Sequence, residues 1–102
     1  MEKLYMLVKG YYQRFPNGIE PFQMATRLLE ECGEVASEIN HWEGSGLKRI
    51  KRGEPSKMQL ANEIKQALAA LMQIAVYYSV EDELALSIEN SLSKMKEERL
   101  ID

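Results

Sequence analysis

Between Leu28 and His41 the chain runs Leu-Leu-Glu-Glu-Cys-Gly-Glu-Val-Ala-Ser-Glu-Ile-Asn-His, and this stretch limits the fold more than any other. At roughly 100° per residue a helix places Glu31, Glu34 and Glu38 within about 60° of one another, while Glu30 points elsewhere. The apolar residues Leu28, Cys32, Val35 and Ile39 begin an arc right beside that stripe, so the carboxylates border or enter the face that such a helix buries. A charge run serving solvation alone would lie opposite. A fold for this chain has to supply something for these carboxylates to meet.

The 102 residues, 45% hydrophobic and 28% charged, amount to one small domain over 1–102 with a modest core. Oligomerisation would bury more apolar surface than a chain of this size buries alone. No apolar run reaches the roughly 20 residues that a membrane-spanning helix needs. The closely spaced charges of Met-Glu-Lys-Leu-Tyr-Met-Leu-Val-Lys do not read as a signal peptide, and one cysteine forms no internal disulfide, so a cytoplasmic location is expected. Cys32 itself is expected as a small core residue rather than a nucleophile. A net charge of −3 with mixed signs gives no global field for a nucleic-acid polymer or an anionic membrane. Anion binding must come from a local patch, and Lys48, Arg49, Lys51 and Arg52 supply one.

Four helices account for the rest, at about 2–14, 20–42, 56–78 and 80–98, and nothing reads as a strand. Leu4, Leu7, Val8, Tyr11 and Tyr12 recur at helical spacing before Phe15-Pro-Asn-Gly18 stops the first helix. Pro21 suits the first turn of the second, which runs to about Trp42 and meets Gly44-Ser-Gly46. The segment 44–55 has loop composition, and a connection of that length is often functional. Ser56 is placed to cap the third helix, and Ser79-Val-Glu-Asp82 resembles a capping box for the fourth, which continues through Leu84, Ile88, Leu92 and Met95. Short connections between antiparallel helices predict an all-α four-helix bundle.

Glu63 is the odd residue of the third helix, because Ala67, Ala70 and Ile74 share its stripe and turn it inward. A desolvated carboxylate needs a cation or hydrogen-bonding partners. If the second and third helices pack antiparallel, Glu63 approaches Glu31, Glu34 and Glu38, and a hard divalent ion with oxygen ligands would hold the cluster together. Plainer readings stand beside this one. Glu34 and Glu38 would serve equally as salt-bridged border residues with Arg27 near Glu31, Glu63 as half of a buried ion pair, and the basic loop as a solvated connection. Trp42 offers a platform for a nucleobase or packs in a core or interface. His41 reads as a hydrogen-bonded structural residue, and Tyr11, Tyr12, Tyr77 and Tyr78 as packing residues.

The segment 28–41, followed by Leu-Ala-Asn-Glu-Ile-Lys-Gln-Ala-Leu-Ala-Ala-Leu-Met-Gln-Ile-Ala at 60–75, resembles the MazG-like all-α nucleoside triphosphate pyrophosphohydrolases over about 25–95. The family pattern is E-x-x-E on one helix and E-x-x-D on a later one. The resemblance implies hydrolysis of nucleoside triphosphates to the monophosphate and pyrophosphate with Mg²⁺, Mn²⁺ being a substitute, and the apolar surface that one small four-helix chain leaves exposed predicts a homodimer or tetramer. On this chain it implies Glu31, Glu34 and Glu63 as metal ligands; Glu38, on the same stripe as Glu31 and Glu34, is expected as a spare ligand, and Glu38 or Glu34 as the group that orients the attacking water. Lys48, Arg49, Lys51, Arg52 and Lys94 would contact phosphates, and Trp42 would face the base. One position departs from the pattern. The expected Asp is Gln66, whose carbonyl is an uncharged auxiliary ligand, so the alternative is a non-catalytic descendant that binds a nucleotide or a partner protein.

Overall fold

Helices form where the periodicity and the punctuating residues place them. The computed structural model describes residues 1–44 and 53–102. It contains α1 (Glu2–Arg14), α2 (Pro21–Glu43), α3 (Lys57–Tyr77) and α4 (Glu81–Glu97), and no strand among the described residues. Lys48, Arg49, Lys51 and Arg52 lie outside the described residues.

The boundaries have local causes. Pro21 occupies the start of α2, where its missing N–H costs nothing, and Gly18 turns the preceding chain at φ +85. At the other end of α2 a Cβ on Gly44 would run into the Asn40 carbonyl, so the backbone leaves the helix at a glycine. The Ser56 hydroxyl accepts from the Gln59 N–H at 3.2 Å and caps α3 as expected.

The capping box at Ser79 does not form. Ser79 instead takes a left-handed conformation, φ +55, and ends α3: its N–H donates to Val76 O at 3.1 Å and that of Val80 to Ala75 O at 3.0 Å. This is a Schellman closure, and a residue spent on it lacks the extended backbone of an N-cap. Val80 takes that position without a side-chain cap, and Glu81, Asp82 and Glu83 in the first turn complement the helix dipole.

The central element is α3, on which both α1 and α2 pack, whereas α4 touches it only lightly and buries no residue. The buried apolar residues are few and mostly small: Val8, Met24, Ala69, Ala70, Met72 and Ala75. The three alanines narrow α3 and let its neighbours approach. Glu38, His41 and Gln73 are buried with them.

The apolar arc of α2 behaves differently from expectation. Cys32 is exposed rather than in the core, and Ile39, Leu29 and Phe22 are exposed too, the last at 80%. Glu31 and Glu38 face inward instead, with Leu28, Val35 and Trp42 half-buried around them. On α3, Ile64, Leu68 and Leu71 form a second exposed apolar stripe, and on α4 Ile88 and Met95 continue a third with the half-buried Leu84 and Leu92. The radius of gyration, 17.0 Å, exceeds the about 13 Å of a compact chain of this length.

Candidate functional site

Glu31 approaches Glu63 because α2 and α3 run antiparallel, with α2 tied to α3 near one end and to the segment leading into α3 near the other. At one end Arg27 Nη1 of α2 donates to Gln73 Oε1 of α3 at 3.5 Å. At the other, His41 Nε2 lies 2.7 Å from the carbonyl of Gly53, and since a carbonyl only accepts, the imidazole donates there. Between these clasps Glu31 of α2 lies near enough to Glu63 of α3, and to Glu34 one turn along its own helix, to feel their charges.

Electrostatics report that proximity. Burial pushes the Glu31 carboxyl above the usual carboxylate range, the charges of Glu63 and then Glu34 add to the effect, and Arg27 partly offsets it. A group whose folded pKa is raised holds its proton more tightly folded than unfolded, so its contribution to stability is lost as pH rises through the folded value. Acidifying the metal-free protein from neutrality toward the unperturbed value of 4.5 should therefore raise the melting temperature, and Glu31→Gln should remove that increment. Calorimetry in chelator from pH 7 to pH 5 measures it; an unchanged profile in the variant would place the pH dependence elsewhere.

Glu63 is half-buried and accepts from Gln59 Nε2 at 2.8 Å. Among the described residues no Lys or Arg lies within 4.0 Å of Glu31, Glu34 or Glu63, where a buried ion pair would have put one. Nor, among the described residues, does any group of three His, Cys, Asp or Glu side chains come together closely enough to hold a metal ion. An ion bound here would have to rely on one or two carboxylates, with waters and a ligand's oxygens completing its shell, a coordination open to Mg²⁺.

The other sequence-predicted residues fall in different places. Glu38 is 2% exposed, with its Oε2 at 3.8 Å from Nδ1 of His41, at the loop end of α2. Trp42 is half-buried one residue beyond His41. Lys94 is exposed in the last turn of α4, where a cation also suits the helix dipole, and it does not line the cavity beside the acids. The Gln66 Oε1 accepts from the Tyr11 hydroxyl at 3.4 Å, which turns it toward α1.

That contact belongs to a cleft of about 430 Å³ between α1, α2 and α3. Tyr11 and Arg14 of α1 and Phe15 just after it line one side, Arg27 and Glu31 line it from α2, and Gln66 and Gln73 from α3. Glu31 thus belongs both to the acidic cluster and to the cleft. The sequence carried part of this signal, since Arg27 precedes Glu31 by one turn and Gln73 follows Gln66 by two on the same stripe. That α1 closes the cleft depends on which helices pack together, which periodicity does not encode.

Comparison with protein-family models, with curated proteins and with solved structures finds no match to this chain. Among the described residues, no helix is long and apolar enough to cross a membrane.

Proposed function

We propose that this chain is a Mg²⁺-dependent pyrophosphohydrolase that converts nucleoside triphosphates to the monophosphate and pyrophosphate, as in removal of unwanted nucleotides from the pool. The observation that carries this reading is the placement of the half-buried Glu31 of α2 near Glu63 of α3 with no described Lys or Arg within 4.0 Å, where burial first and then the charges of Glu63 and Glu34 raise its pKa. Carboxylates that repel one another across two helices lose stability unless a cation joins them.

Glu31, Glu34 and Glu63 would hold the ion, in part through its water ligands, and Gln66, engaged by Tyr11, would add little. When bound, such an ion neutralises phosphate charge and polarises the phosphoryl group. Glu34 is exposed and Glu38 buried, so Glu34 is the better placed to orient a water toward the phosphate. The scissile bond lies between the α- and β-phosphates, and catalysis there is mostly positioning and electrostatics. Lys48, Arg49, Lys51, Arg52 and Lys94 would contact phosphates within this proposal.

A homodimer or larger assembly belongs to the same proposal. Its support is the apolar surface that α2, α3 and α4 leave exposed. The chain shows 7798 Å² to solvent, against about 5,900 Å² from the size scaling for a folded monomer. The excess is above the roughly 800 Å² per partner of a standard interface.

One observation favours the non-catalytic alternative. Gln66 stands where the family pattern has an acid and is engaged by Tyr11, so α3 contributes one carboxylate, Glu63. Pyrophosphate release from a panel of ribo- and deoxyribonucleoside triphosphates, with Mg²⁺ and with chelator, separates the two. Mg²⁺-dependent release by the wild type supports the enzyme. Release only after Gln66→Asp, or from neither protein, supports the descendant without catalysis.

A further inference from the structure

Two places along α2 lie within reach of the acidic cluster and offer to hold the uncharged half of a nucleotide. Trp42 is one, about 16 Å along the axis from Glu31. The cleft is the other, and Glu31 itself lines it.

The cleft has the features that a flat heterocycle requires. Ala69 and Ala70, each 4% exposed, form a small apolar floor on α3. Tyr11 and Phe15 stand on the α1 side as aromatic surfaces on which a ring can stack. At either end of the floor sits an amide, Gln66 and Gln73, two helical turns or about 10 Å apart along the axis. Gln73 is only 8% exposed, and its carbonyl has Arg27 Nη1 at 3.5 Å, the outer limit of a hydrogen bond. Gln66 Oε1 has the Tyr11 hydroxyl at 3.4 Å. Both contacts are long enough to give way to a ligand.

An amide presents a donor and an acceptor side by side and never ionises, which matches the mixed edge of a nucleobase and not a phosphate or an acyl chain. A cavity of about 430 Å³ lies within the range of small-molecule sites, about 300–1,000 Å³. Arg14 and Arg27 add planar cations that stack on a ring or meet the sugar–phosphate.

We infer that the cleft between α1, α2 and α3 is the nucleobase site, with Gln66 and Gln73 reading the base edge, Tyr11 and Phe15 stacking on it, and Glu31 marking where the phosphates begin. This deepens the nucleotide reading above and rests on it. It moves the base from Trp42 to the opposite side of the acids, and gives Gln66 a use other than metal ligation.

The test uses the full chain in chelator, with nucleoside monophosphates as probes and side-chain amide and indole N–H resonances as readout. Addition of the probes should shift the Gln66 and Gln73 amide signals and leave the Trp42 indole in place. Gln73→Leu and Gln66→Leu should each weaken binding about tenfold and change the order of preference among the bases. Ala70→Leu, which fills the floor, should block binding, and circular dichroism verifies that each variant folds. Gln66→Leu, at a half-buried position, remains informative if Gln73→Leu does not fold.

Several outcomes overturn the assignment: no monophosphate binding by the wild type, a Trp42 shift with the amides unmoved, variants with wild-type affinity and base order, or the same shifts produced by inorganic phosphate alone. Amide shifts and the tenfold losses without any turnover would keep the cleft and remove the hydrolase. Turnover without the shifts would do the reverse.

Discussion

Glu34→Gln and Glu63→Gln are each expected to lower Mg²⁺-dependent pyrophosphate release by at least about a thousandfold while leaving helix content unchanged. The magnitude follows from the several kcal/mol of charge stabilisation that a correctly held divalent ion supplies, at about 1.4 kcal/mol per tenfold in rate. Both substitutions are nearly isosteric and remove only a charge. Glu34 is exposed and Glu63 half-buried with Gln59 as its hydrogen-bond partner, so neither supports the core. Relief of repulsion at Glu31 should even raise the melting temperature of the metal-free variants. Steady-state kinetics beside a thermal melt check both parts. Wild-type rates in both variants would refute the metal assignment, and a marked fall in melting temperature would point to structural roles for the two carboxylates.

The second large effect concerns assembly. The stripe Leu84, Ile88, Leu92 and Met95 gives α4 an apolar face, yet no residue of α4 is buried. A solitary helix of 17 residues is only marginally stable in water, so most of its stability has to come from packing of that face. A second copy offers matching apolar stripes at Ile64, Leu68 and Leu71 of α3 and at Leu29, Cys32 and Ile39 of α2. Replacing Ile88 and Leu92 together with Glu should convert the assembly to monomers and lose about 3–6 kcal/mol of interface stabilisation, from about 1.5–3 kcal/mol for each buried side chain. Light scattering across a concentration series, with the melting temperature of each variant, measures this. A wild type that is monomeric at high concentration, or a double variant that assembles as before, would contradict it.

Much of the helical layout was legible in the sequence, because Pro21, Gly44 and Ser56 act on the backbone beside them and need no tertiary partner. Ser79 was misread for the same local reason. Its four-residue pattern suits a cap, but the preceding helix claims the residue for its own closure. The stripe carrying Glu31 and Glu38 was visible from spacing, whereas its inward orientation was not, since hydropathy alone would have buried Cys32 and Ile39. Periodicity defines a face and leaves open whether this chain or another copy covers it. The contributions of Tyr11, Arg14 and Phe15 to the cleft depend on α1 lying across α3, a long-range fact with no local signature.

The proposal that α2 and α3 share an ion is tested most directly by titrating the full chain with Mn²⁺ in the presence of a non-hydrolysable nucleoside triphosphate, following paramagnetic broadening of backbone amide signals. One equivalent should broaden residues around Glu31 and Glu34 of α2 and around Glu63 of α3 together, and Glu63→Gln should weaken both. Broadening confined to one helix, or centred on the acidic first turn of α4 at Glu81–Glu83, would mean that the two helices do not share an ion.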